Sequence, residues 1–363
     1  MKVAVLGAGS VGSALAGYYG MKNLDVRLYE LPEFEKNIKL IKEQGGVYLS
    51  GSVEGFGQVG CITTDMEEAI SGATVVFVTV PAYGHKKVAE ECAKYLTEGQ
   101  VVAINSGSVF AALEFDRIVK MEGNEKNIAI VDISNLMGCR KSSPGEVNIH
   151  GMRKEITVAA IDHEHAKFAV TKLEPLFDNV ETTSGLLEIA LNNNSTLMHP
   201  APAILNAGWI ETSGGNFDFY WGGISPSVGK VMEAIDSERI HIGRQLDYNC
   251  MSFLDKVNQL NEKHLGSIYE YISTNPSLGG PKIGSSVCPS NLQERYVSED
   301  VPYGLVPYSE LAKKIGIQTP HIDSLITLAS RMNDIDYRQE GRNLKAMGVE
   351  NKTIAEIKQL LIN

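Results

Sequence analysis

The sequence predicts an α/β chain whose N-terminal part is a doubly wound, mostly parallel sheet and whose C-terminal part is all α. Three observations predict it. Short β-branched runs alternate with helical patterns through the first half; a glycine-rich turn joins the first strand to the first helix; and strand signals nearly vanish from Leu186 onward. The expected boundary puts residues 1–184 in one domain and 185–363 in a second.

In chain order, "KVAVLG" leads into a helix from about Ser10, and "DVRLYE" into an amphipathic "EFEKNIKLIKEQ". "ATVVFVTV" is followed by "HKKVAEECAKYL", and "QVVAINSG" by a further helix before "NIAIVDIS". Strands spaced in this way need crossover helices, so the sheet is covered on both faces. The stretch "GGVYLSGSVEGFGQVGCITT" breaks the rhythm and reads as a β-excursion. "KEITVAAID", a helix from about Glu164 and a strand around Val180 close this half. Beyond it, helices are expected near 186–198, 225–262, 264–273, 307–315, 320–333 and 351–361, with Gly-, Pro- and Ser-rich loops at 212–226 and 274–291.

Composition narrows the partners. A formal net charge of −11 disfavours nucleic acid and anionic membrane, so an anionic substrate needs its own arginine. Cys61, Cys92, Cys139, Cys250 and Cys288 contain no Cys-x-x-Cys pair, which points to reduced thiols in a reducing, cytoplasmic setting, with neither a disulfide frame nor a metal site. The N-terminus enters a strand at once, and the longest apolar run, "ATVVFVTVPA", falls short of a membrane span. A homodimer is one possible assembly.

The turn "GAGSVG" is G-x-G-x-x-G at Gly7, Gly9 and Gly12, with Ser10 and Val11 inside it. Between a strand and a helix, such glycines allow a tight turn, close approach to a pyrophosphate and close helix packing, while the helix N-terminus offers N–H groups and a positive dipole end. The expectation is a Rossmann-type dinucleotide-binding domain. Glu30 ends the second strand 18 residues after Gly12, where a carboxylate accepts from ribose hydroxyls and repels a 2′-phosphate. Leu31-Pro32 supplies no arginine in its place, so NAD is expected over NADP. The other reading of Glu30 is a solvated strand-end charge. Val80 and Pro81, leaving the fourth strand at the carboxyl edge, are expected to line the cofactor site, whereas His85 reads as an exposed residue of the next helix.

The second half must supply the reaction. His199 precedes Pro200 at the end of an apolar helix, where the proline disfavours α geometry and a kink or helix end is expected. Arg295 and Asp300 share the loop "ERYVSEDVPYG", and Phe217, Phe219, Tyr220 and Trp221 cluster in "NFDFYWGG". A histidine serves as acid or base near neutral pH, a carboxylate on its other nitrogen fixes its tautomer, and an arginine grips a carboxylate in bidentate fashion. A capping histidine is the competing reading, and the aromatic cluster reads as core or interface ahead of an amino-acid pocket.

Read together, "GAGSVGSALA", "VTVPAYGHKKVAEE", "NLMGCRKSSPGEVNI", "NNNSTLMHPAPAILNAGWIE", "FDFYWGGISPSVGKVMEAIDSER" and "RYVSEDVPYGLVPYSELAKKIGIQTPHIDSLI" resemble the opine dehydrogenases, of the octopine and nopaline dehydrogenase kind, almost end to end. The resemblance implies a Rossmann domain joined to a helical domain of the 6-phosphogluconate dehydrogenase C-terminal kind, with substrate in the cleft between. It implies reductive condensation of an amino acid with a 2-oxo acid, driven by NAD(H). On matching positions it makes His199 the acid/base, Asp300 its carboxylate partner and Arg295 the clamp on the oxo acid. Asn192 and Ser195, seven and four residues before His199 on one expected helix face, are candidates for substrate or nicotinamide contacts, or simply a polar exposed face. Two other functions fit the same features: a reductase of a simple 2-oxo acid, of 2-hydroxyacid or ketopantoate type, and a nicotinamide-binding sensor without turnover.

Overall fold

The computed structural model describes residues 1–105, 109–261, 264–279 and 288–362. Parts of the expected "QVVAINSG" run, of the 225–262 helix and of the 274–291 loop therefore lie outside the described residues. The chain forms two compact units, one holding residues 1–105, 110–189 and the chain from Gln359, the other holding Val109 and Ala190–Lys358.

The first unit is built on β1 (Lys2–Leu6), β2 (Asp25–Tyr29), β3 (Gly46–Gly51), β4 (Gly55–Gln58), β5 (Cys61–Thr63), β6 (Val75–Val78), β7 (Val101–Asn105), β8 (Ala129–Ile133), β9 (Met137–Ser143), β10 (Glu146–Met152), β11 (Glu155–Ala160) and β12 (Asn179–Thr182). Eight of them form one sheet in the order β12-β11-β8-β7-β6-β1-β2-β5, parallel throughout except where β11 meets β8. The central strands are apolar at almost every position because helices cover both faces, and Val75–Val78 is wholly buried. The chain runs outward from β1 to β2 and then returns to place β6 on the other side of β1, with Leu6 opposite both Tyr29 and Val78. That reversal is the switch point at which ligands of such sheets bind, beyond the carboxyl ends of the strands.

The β-excursion contributes β3 and β4 to a second sheet, ordered β4-β3-β10-β9, and sends β5 to the edge of the first. The β9–β10 hairpin was not expected. Its segment "MGCRKSS" lacks the β-branched residues that mark the other strands, and its pairing is interrupted by register shifts at Glu146/Val147 and Ile149/Gly151.

The second unit is helical, with two corrections. The helix expected over 186–198 stops at Leu191 and restarts at Ser195–Met198. Three consecutive asparagines cause the stop: the Asn193 side chain accepts from the Ser195 N–H at 3.0 Å, competing with the helical ladder. The helix expected over 225–262 is two, Pro226–Gln245 and Phe253–Asn261, separated where Asp247 turns left-handed (φ 59°). Buried Arg239 braces this region by donating to the carbonyls of Leu191 (2.5 Å) and Met251 (2.8 Å) while paired with Asp236. It thereby fixes the end of the helix that leads into the asparagine turn.

Candidate active site and dinucleotide cradle

At the switch point, Gly7 adopts φ +105°, and a Cβ there would lie 2.6 Å from the Val80 side chain. A Cβ on Gly12 would overlap the Gly7 carbonyl oxygen, whereas one on Gly9 would meet nothing within 4 Å among the described residues. Two glycines are thus demanded by packing and the third keeps an approach open. Gly9 is exposed and is also the N-cap of helix Ser10–Met21, so it has no side chain with which to satisfy the first N–H groups. Those N–H groups and the dipole end fit a phosphate, and the cradle suits a dinucleotide. Ser10 and Val11 are partly buried in the first turn, and Val80 and Pro81 partly buried beside Gly7. Sequence reasoning missed Thr79, whose hydroxyl lies 2.9 Å from the Gly7 carbonyl and 3.0 Å from that of Leu6 and pins the turn to β6.

Glu30 is not a solvated strand-end charge. It is 5% exposed, and its carboxylate accepts from the Ala8 N–H (3.2 Å), the Leu31 N–H (3.0 Å) and the Asn37 amide (3.1 Å). The negative charge therefore sits against the glycine turn itself. A cation unremarked in the sequence is coupled to it: the Lys141 backbone N–H donates to Ser10 Oγ at 3.3 Å beside the turn, and burial lowers the Lys141 ammonium pKa against the opposing pull of Glu30. His85 departs from expectation, being 2% exposed at the start of helix His85–Cys92.

In the second unit His199 stands between the short helices Ser195–Met198 and Pro200–Leu205. The proline does not drive it out of the right-handed region; it opens φ to −108° at ψ −54°, enough to break the axis. The ring is gripped on three sides. Nδ1 lies 2.8 Å from Asp300 Oδ2, Nε2 lies 3.1 Å from Tyr220 Oη, and the Tyr296 ring stacks on the imidazole with centroids 4.0 Å apart. Asp300 is 5% exposed, and its carbonyl accepts the Leu305 N–H across five residues in the π-helical turn Val301–Leu305, a turn type frequent at functional sites. A buried carboxylate on Nδ1 fixes the tautomer and leaves Nε2 to face the Tyr220 hydroxyl.

A protein-family model for the "NAD/NADP octopine/nopaline dehydrogenase, alpha-helical domain" matches residues 182–333, and one for the "NAD-dependent glycerol-3-phosphate dehydrogenase N-terminus" matches residues 2–140. An opine dehydrogenase of Arthrobacter sp. (strain 1C) is 33% identical over 98% of this chain and 97% of its own length. The chain belongs to the opine dehydrogenase family. It is an NAD-dependent oxidoreductase, and the family's reaction is the reductive condensation of an amino acid with a 2-oxo acid. Octopine dehydrogenase of Pecten maximus is 24% identical over 94% of this chain and 92% of its own. An octopine dehydrogenase structure with NADH and L-arginine shares the fold at a TM-score of 0.78, with 19% identity over 99% of this chain and 98% of that one. A ketopantoate reductase from Ralstonia eutropha JMP134 also shares it, at a TM-score of 0.64, 17% identity and coverage of 92% and 99%. Fold alone therefore does not separate an opine dehydrogenase from a simple oxo-acid reductase.

The remaining residues singled out in the sequence take distinct places in this chain. Arg295 opens the short helix Arg295–Ser298, its side chain 63% exposed and its Nε paired with buried Glu299. Ser195 lies one turn before His199 and its carbonyl accepts the His199 N–H at 3.1 Å. Asn192 does not share that helix; it lies beyond the Leu191 end, where its Oδ1 accepts from Lys256 at 3.3 Å. Tyr220, which the sequence reads as packing ahead of an amino-acid pocket, and Tyr296 are further residues that reasoning missed. The available signal was a hydroxyl inside an aromatic run, since a buried tyrosine needs a partner for its O–H.

Proposed function

We propose that this chain reductively condenses an amino acid with a 2-oxo acid, acting on the CH–NH group, with residues 1–184 holding the dinucleotide and 185–363 carrying the acid/base machinery. The observation that carries the reading is the 2.8 Å contact of His199 Nδ1 with Asp300. Asp300 keeps a proton on Nδ1 and stabilises the imidazolium, so Nε2 can give a proton to the carbinolamine hydroxyl in condensation and take one back in the reverse direction. Arg295, oriented through Nε by Glu299, is assigned to the oxo-acid carboxylate. Ser195 is assigned to substrate at the turn below the imidazole. The bound nicotinamide supplies the hydride.

Gly7, Gly9, Gly12, Ser10 and Val11 hold the pyrophosphate, Val80 and Pro81 line the cofactor, and Glu30 disfavours a 2′-phosphate. Five cysteines without a Cys-x-x-Cys pair fit a reducing, cytoplasmic setting. The test is NADH oxidation with amino acids crossed against pyruvate, 2-oxoglutarate and oxaloacetate. Turnover that needs both an amine and an oxo acid is expected. An equal rate with oxo acid alone makes the chain a simple reductase, and no turnover with any pair makes it a sensor.

A further inference from the structure

The nitrogen that must exchange a proton with substrate is not open. His199 Nε2 faces the hydroxyl of Tyr220 at 3.1 Å, with Asp300 holding the opposite edge of the ring. The ring therefore has a defined proton donor or acceptor on both nitrogens before any substrate arrives. Tyr220 is itself fixed. Its hydroxyl interacts with that of Tyr296, and Phe219 packs on both rings, at 5.1 Å from Tyr220 and 4.8 Å from Tyr296. Tyr296 in turn lies flat on the imidazole, 10° from parallel, so one set of aromatic contacts sets the position of both hydroxyls relative to Nε2.

We propose that Tyr220 relays the proton between His199 and the substrate oxygen, and that Tyr296 is the positioning residue that aims the Tyr220 hydroxyl. The proposal rests on the assignment of His199 as the acid/base. A hydroxyl carries one proton and two acceptor sites, so it serves either protonation state of the ring. When the imidazole is neutral, Tyr220 donates to Nε2. When it is imidazolium, Nε2–H donates to Tyr220, whose own proton is turned to the substrate. In the condensing direction the Nε2 proton moves to Tyr220 Oη as the Tyr220 proton moves to the carbinolamine hydroxyl. The C–O bond breaks with its electron pair, water leaves, the nitrogen lone pair closes the C=N bond, and His199 is left neutral. Tyr220 ends as it began. Burial foremost, with the neighbouring phenol and Asp300 adding to it, holds the Tyr220 hydroxyl well above the ordinary tyrosine range; burial also raises Tyr296, against the lowering pull of Tyr220 and Arg295. Neither phenol ionises at working pH, as a relay of whole protons requires.

The alternative is that Tyr220 merely fills the place of substrate and swings aside, leaving direct transfer from Nε2. The two differ in what loss of the hydroxyl does. Tyr220→Phe keeps the ring and its packing. A relay predicts that the single-turnover rate falls by about a hundredfold, the lower end of the range for a positioned proton donor, with NADH affinity unchanged. It also predicts that the proton inventory in mixed water and deuterium oxide changes from bowed, two protons in flight, to linear. A wild-type or faster rate, or an inventory unchanged by the substitution, overturns the relay. Tyr296→Phe, which leaves the relay but loosens it, should lower the rate by about threefold to tenfold with the inventory still bowed; an unchanged rate overturns the positioning role and serves as the test if the Tyr220 variant does not fold. His199→Ala is run beside them. If it is inactive while Tyr220→Phe is fully active, the relay fails alone; if it is itself active, the acid/base assignment fails.

Discussion

Asp300 holds the imidazole of His199 by Nδ1 at 2.8 Å, across 101 residues of sequence. The side chains are 7% and 19% exposed, so the pair is shielded enough for its charge interaction to matter. The assignment of acid/base chemistry stands on this contact.

Cofactor preference follows from Glu30. NADH should bind more tightly than NADPH, and Glu30→Gln with Leu31→Arg should shift the ratio of dissociation constants toward NADPH by about tenfold or more. Lys141, drawn toward Glu30, should contribute whatever NADPH affinity the unaltered chain has, so Lys141→Ala should reduce it further. Titration of each variant with both nucleotides checks this, and equal binding of the two by the unaltered chain would remove the role of Glu30.

The glycine turn is a packing requirement as much as a binding one. Gly12→Ala would force a Cβ into the Gly7 carbonyl, so NADH affinity should fall by at least tenfold. Gly9→Ala meets no described protein atom within 4 Å, and should weaken NADH only through the approach of the ligand. A thermal midpoint lowered in the first variant and unchanged in the second is the expected contrast.

For the clamp, Arg295→Lys keeps the charge and loses the planar fork. The Michaelis constant for the oxo acid should rise by about tenfold or more while that for NADH stays put. Were neither to move, the pairing of Arg295 with Glu299 would be structural.

A pH-dependent contribution to stability lies away from the site. Asp323 is pulled in two directions: burial raises its pKa, but the Ser309 hydroxyl (2.6 Å) and the Arg338 guanidinium (2.5 Å) outweigh this and hold it below the ordinary carboxylate range. A depressed carboxylate stabilises the fold above its unfolded pKa, about 3.9, and that contribution is lost as pH falls through the lower folded value. Asp323→Asn should therefore lower the thermal midpoint by a few degrees at pH 7, and the gap should close below about pH 4. A gap that persisted into acid would mean that packing, and not charge, had been lost.

Much of the first unit was legible because β-branched runs such as "VVFV" can hardly be anything but buried strands. The β9–β10 hairpin was illegible for the opposite reason: β9 has no β-branched residue, and in β10 only Val147 and Ile149 are buried. Asn192 was misplaced because apolar periodicity was read straight through three asparagines that end the helix. His199 and Asp300 could be paired only through family resemblance, since periodicity carries no information across a hundred residues. Tyr220 was passed over because an aromatic run reads first as packing, and nothing local says which hydroxyl will face a histidine.

The most direct test of the account is the turnover number at saturating substrates across His199→Ala, Asp300→Asn and the double variant, with NADH binding measured in parallel. Loss of about a hundredfold to ten-thousandfold is predicted for His199→Ala with NADH affinity retained, and a double variant far less impaired than the product of the singles, as for residues acting as one unit. A nearly active His199→Ala enzyme, or penalties that multiply, would contradict the dyad.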